Sequence, residues 1–98
     1  MTSYRGRVIR RRVVVSGDVQ GVYFRDTCRR VATENRVSGW VRNRRDGSVE
    51  AAFEGPPEAV DRLLDWARRG PPTALVDTVD TYDEEPENLT GFDIRPTV

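Results

Sequence analysis

With 98 residues, the chain has room for one domain with a single core, so a functional site must lie on the surface of that core. It has one cysteine, no histidine and no lysine, which excludes an intrachain disulfide and a His/Cys zinc site and leaves neither His nor Lys as a general base. Net charge is zero, yet residues 1–45 carry twelve Arg against three acids, a balance of +9, while residues 46–98 carry four Arg against thirteen acids, a balance of −9.

Residues 1–7 read as a flexible N-terminal arm on a single domain spanning 1–98. Val8-Ile9 and Val13-Val14-Val15 frame a β-branched strand of about eight residues, with Arg10-Arg11-Arg12 flanking it or facing solvent. Ser16-Gly17 ends it, and Gly17 to Gly21 is a turn or loop. From Val22 to Asn35 the period becomes helical: Phe24, Cys28, Val31 and Ala32 fall on one apolar stripe, with Asp26, Arg29, Arg30 and Glu34 off it. Val37–Asn43 and Val49–Phe53 are strands joined through Asp46-Gly47 as a hairpin. Gly55-Pro56-Pro57 opens a second helix, with Glu58 and Asp61 in its first turn and Val60, Leu63, Leu64 and Ala67 on its apolar stripe. Arg68, Arg69 and Gly70 close that helix before Pro71-Pro72. Leu75–Tyr82 is a fourth strand, Asp83–Asn88 an acidic solvated loop, and Phe92–Ile94 a short terminal strand.

The order β-α-β-β-α-β plus a short strand is the ferredoxin-like α+β pattern. Each helix has one apolar stripe, so both must cover the same face of an antiparallel sheet. The basic N-terminal stretch leads only to three consecutive valines, not to a signal-peptide core. No run approaches the ~18 apolar residues of a membrane span. These features lead to the expectation of a soluble, cytoplasmic monomer with no membrane partner.

The chemistry concentrates in Gly17-Asp18-Val19-Gln20-Gly21-Val22-Tyr23-Phe24-Arg25, between a strand and a helix. Glycines allow a close backbone approach to a ligand, successive N–H groups form an anion-binding concavity, and the helix N-terminus adds its positive dipole end. Arg25 opposes that dipole, a placement that makes sense beside a bound anion, which its planar fork can hold through two hydrogen bonds. No Lys-Ser/Thr follows the last glycine, so this is not a Walker loop. From the residues alone, a phosphate cradle and an ordinary strand–turn–helix both stay open. The charge asymmetry is equally two-sided: a basic half facing an anionic ligand, or two halves that interleave and cancel.

Residues 17–25 resemble the first signature of the acylphosphatase family, Gly-x-Val-Gln-Gly-Val-x-Phe-Arg, at every specified position. The second family signature is matched by Gly39-Trp40-Val41-Arg42-Asn43, Gly47-Ser48-Val49 and Gly55. The resemblance covers nearly the whole chain, including Gly70-Pro71-Pro72 and Phe92-Asp93-Ile94. It implies a cofactor- and metal-free hydrolase of small acyl phosphates with a ferredoxin-like fold. Arg25 would bind the substrate phosphate, backbone N–H groups of Asp18, Val19, Gln20, Gly21, Val22, Tyr23 and Phe24 would complete the cradle, and Asn43 would orient the attacking water.

Other residues have simpler roles. Cys28 lies on the apolar stripe and does not start a Cys-x5-Arg phosphatase loop, because position 34 is Glu. Trp40 and Trp66 are expected to pack, and Gln20 to shape the loop. Asp18 fills a free position of the motif, where a carboxylate should weaken phosphate binding unless it points away or pairs with Arg. Two alternatives compete with the enzyme. An RNA-binding sheet needs exposed aromatics on its central strands, where Val49–Glu54 offers acids and alanines. A non-catalytic phosphate-binding or regulatory domain would share the cradle without the turnover.

Overall fold

A period-two alternation organises the first strand. Val13 and Val15 are fully buried on one side, while Arg10, Arg12 and Val14 face the other. The computed structural model describes residues 7–98 and contains β1 (Ile9–Asp18), α1 (Phe24–Glu34), β2 (Ser38–Asn43), β3 (Val49–Gly55), α2 (Pro57–Arg69), β4 (Leu75–Glu84) and β5 (Phe92–Ile94). Of the expected N-terminal arm, residues 1–6 lie outside the described residues; Arg7 is exposed.

The sheet order is β4-β1-β3-β2-β5. The β1–β3, β1–β4 and β2–β3 pairs are antiparallel, whereas β5 runs parallel to β2 and places Ile94 beside Val41. The fold is the ferredoxin-like α+β arrangement, extended at one edge. Both helices share one core with the sheet, built around Val13, Val15, Phe53, Val60 and Leu63. Each fully buried Val, Leu or Phe contributes about 1.5–3 kcal/mol. Gly17 sits at φ 130° where the β1–β4 register shifts, and a Cβ there would run into the backbone of Leu75 and Asp77.

The face without helices differs from the sequence expectation. Arg10 does not face solvent; it is 4% exposed and donates to Glu54 Oε2 and Glu84 Oε1, both at 2.8 Å. Arg12 donates to Glu84 Oε2 at 2.7 Å and Glu50 Oε2 at 3.1 Å, and Arg42 donates to Glu50 Oε1 at 2.8 Å. Arg12 also lies over Tyr82, and Arg42 and Arg95 both lie over Trp40. Asp83 and Glu84 belong to β4 and not to a solvated loop; β1 needs their backbone for pairing at Arg11 and Arg10. The acids of the second half therefore neutralise arginines of the first half across the strands, which resolves the charge asymmetry on this face as interleaving.

Candidate active site

The segment from Val19 to Tyr23 turns the chain from β1 into α1. Gly21 takes φ 72°, a conformation open to glycine at no steric cost. Tyr23, the N-cap of α1, takes φ 66° and ψ 22° and makes no side-chain capping bond. A bulky residue in that region costs on the order of 1–3 kcal/mol. Because no cap oxygen is present, the first N–H groups of the helix stay available. Among the described residues, the N–H groups from Gln20 to Asp26 donate to no protein acceptor. A run of unsatisfied N–H groups at a helix N-terminus is an anion site.

Three contacts fix this loop. Phe24 is buried against Trp66 with ring centroids 4.9 Å apart, which anchors the start of α1 on α2. Thr73 Oγ1 donates to the Val22 carbonyl at 2.6 Å. The Gln20 amide donates to the carbonyls of Arg44 at 2.7 Å and Ser48 at 2.9 Å, so both its protons tie the loop to the β2–β3 hairpin. That hairpin is itself set by Asp46, whose Oδ1 accepts from Ser48 Oγ and Ser48 N. These bonds to Ser48, with Arg44 nearby, hold the Asp46 carboxyl below its ordinary range.

A cleft of about 390 Å³ opens between loop and hairpin, lined by Val19, Gly21, Tyr23, Phe24, Arg25, Asp26, Asn43 and Ile94. Arg25 is half-buried and, among the described residues, makes no ion pair or side-chain hydrogen bond. Asn43 ends β2, and its Oδ1 is buried with no hydrogen-bond partner among the described residues. Leaving such a carbonyl unsatisfied costs about 1–3 kcal/mol, and Asn43 carries that cost while lining the cleft. One cleft thus joins Arg25, a run of N–H groups without protein acceptors, and Asn43.

The structure distributes the expected residues unevenly. Val19, Gly21, Tyr23, Phe24, Arg25 and Asn43 line the cleft, while Gln20 turns its side chain to the hairpin and Val22 gives its carbonyl to Thr73. Asp18 is the exposed last residue of β1, outside the cleft lining and without an Arg partner among the described residues. Ile94 and Asp26 line the cleft without having been singled out; Ile94 arrives only through the parallel β5–β2 pairing. Cys28 is fully buried, and burial pushes its thiol up, which makes it a core residue and a poor nucleophile.

The sequence and the fold are similar to those of known proteins. The family profile described as acylphosphatase matches residues 11–94. A curated acylphosphatase of Gloeobacter violaceus is 55% identical over 86 residues, covering 88% of this chain and 92% of its own. One from Natronomonas pharaonis is 52% identical over 87 residues, covering 89% and 95%. The solved structure of an acylphosphatase from Coxiella burnetii superposes with a TM-score of 0.89 at 36% identity, covering 97% of this chain and all of that one.

Proposed function

The chain belongs to the acylphosphatase family, and from that premise we propose that it hydrolyses the carboxyl–phosphate bond of small acyl phosphates in the cleft between the 17–25 loop and Asn43. The observation that carries the division of labour is Asn43 lining the same cleft as an Arg25 without an ion pair and a run of N–H groups without a protein acceptor. Arg25 and the N–H groups hold the phosphate oxygens. Asn43 orients the attacking water so that a lone pair turns toward phosphorus.

An acyl phosphate is already activated, so positioning and charge stabilisation suffice for transfer to water. The new bond joins water oxygen to phosphorus and the bond to the acyl oxygen breaks. The carboxylate leaves with the electron pair and needs no proton. An amide cannot take the water proton, which passes to an oxygen of the transferred phosphate. The products are a carboxylate and inorganic phosphate. Nothing in this scheme needs a metal or organic cofactor. Its substrate is small enough for a monomer to handle alone. No described helix is long and apolar enough to cross a membrane, and a cytoplasmic setting suits the reading.

The test is phosphate release from benzoyl phosphate with a chelator present. Loss of a transition-state donor typically costs ~10²–10³ in rate, so Arg25→Ala and Asn43→Ala should both be nearly silent while remaining folded. A kcat that rose steeply through pH 6–7 would place a titrating base on the enzyme and defeat the proton route. A folded parent without turnover would instead favour the non-catalytic phosphate-binding domain.

A further inference from the structure

Tyr23 breaks two local rules at once. It occupies a left-handed conformation that Gly or Asn adopts more easily, and it holds an N-cap position that Ser, Thr, Asp or Asn would cap with a side-chain oxygen. The residue is also 73% exposed, more than any other large hydrophobic residue among the described ones. Neither packing nor capping explains it.

Its position does. Tyr23 lines the cleft that holds Arg25 and Asn43, and it also lines an adjoining groove along α1 with Thr27, Arg30 and Thr33. Its backbone N–H belongs to the cradle, and the residue, with its exposed aromatic side chain, borders both concavities. In an in-line displacement the acyl group departs on the side of phosphorus opposite the water held at Asn43. A phosphate seated in the cradle therefore leaves its acyl group to extend out of the cleft, where this ring is the aromatic surface on offer.

We propose that Tyr23 is the acyl-group platform: a planar, apolar acyl group stacks on its ring, so the enzyme selects aromatic over short aliphatic acyl phosphates. This rests on the hydrolytic reading above. Offset or edge-to-face aromatic contact is the favoured geometry, and its typical strength corresponds to a two- to tenfold preference.

The experiment compares kcat/KM for benzoyl phosphate and acetyl phosphate in the parent, Tyr23→Asn and Tyr23→Phe. The ratio between substrates cancels any change in the cradle that both share. Asn tolerates the left-handed conformation, so Tyr23→Asn removes the ring without forcing the backbone to move, and its Tm should be at least that of the parent. The ratio is expected to fall about fivefold in Tyr23→Asn and to return in Tyr23→Phe. Turnover of both substrates with a ratio unmoved by Tyr23→Asn overturns the platform and leaves the hydrolytic reading standing. A ratio lost equally in Tyr23→Phe also overturns it, because the ring is then not the determinant. A folded parent that hydrolyses neither substrate removes both readings together.

Discussion

The open face of the sheet and the proposed active-site cleft use the same residue type in opposite ways. On the open face, Arg10 is buried and saturated by Glu54 and Glu84, and Arg12 and Arg42 share Glu50. In the cleft, Arg25 stands at a helix N-terminus and makes no ion pair among the described residues; Asp26 of the same cleft pairs with Arg29 instead, at 3.9 Å. A paired arginine holds strands together; an unpaired one, placed against the helix dipole, makes sense beside a bound anion, which is the role proposed for Arg25. In a chain of zero net charge, cancellation is arranged strand against strand on the open face, while Arg25 is left without an ion pair.

Exchanging each arginine for alanine separates the two roles. Arg25→Ala should cost ~10²–10³ in kcat/KM. It should leave thermal stability unchanged or raise it by up to about 1 kcal/mol, because it removes a cation from the positive end of α1. Arg10→Ala should do the reverse. It strands the buried Glu54, for a loss of about 3 kcal/mol and a fall in Tm of more than roughly 10 °C, with turnover preserved wherever the chain is folded. Differential scanning calorimetry beside the benzoyl phosphate assay reads both.

Acid sharpens the same contrast. Burial pushes the Glu54 carboxyl up, but N–H donors from Glu87 and Leu89 together with Arg10 outweigh it and hold the group below its ordinary 4.5. Hydrogen bonds from Arg10 and Arg12 hold Glu84 down as well. Depressed carboxyls contribute stability that is fully present above pH 4.5 and is lost as pH falls through their lowered values. Without Arg10, burial weighs more heavily on Glu54, so the deficit of Arg10→Ala should be widest at neutral pH and narrow below pH 4.5. Urea midpoints measured from pH 7 to pH 3 check the sign. The smallest effect belongs to Asp18. A carboxylate near the phosphate field should weaken binding, so Asp18→Asn lowers KM with little change in kcat. Its exposed place at the end of β1 keeps the shift to about twofold or less, the scale of a screened surface charge. A large fall in kcat would give Asp18 a role that its position does not support.

What was legible in the sequence follows from how local each signal is. The helices, the hairpin and the loop glycines are written in short-range periodicity, and Arg25 stood out because a cation in a first helical turn is locally misplaced. Asn43 was different: an asparagine before a turn is unremarkable, and only the resemblance to the family's second signature marked it. The open-face network was illegible because its partners are far apart. Arg10 meets Glu54 across 44 residues and Glu84 across 74, so only cross-strand register turns Arg10 from part of a solvated run into a buried, ion-paired residue. Asp83 and Glu84 carried no strand alternation of their own and became strand by pairing with β1. Ile94 reached the cleft for a similar reason, through a parallel pairing that no hairpin signal announces.

The most direct test of the cleft is thermal protection by inorganic phosphate, because it separates the group that holds phosphate from the group that holds water. A ligand at a hundred times its Kd stabilises by ~2.7 kcal/mol. Phosphate should therefore raise the Tm of the parent and of Asn43→Ala alike, and leave that of Arg25→Ala almost unmoved. Protection that survives in Arg25→Ala, or that vanishes in a folded Asn43→Ala, would contradict the assignment of phosphate to Arg25 and of water to Asn43.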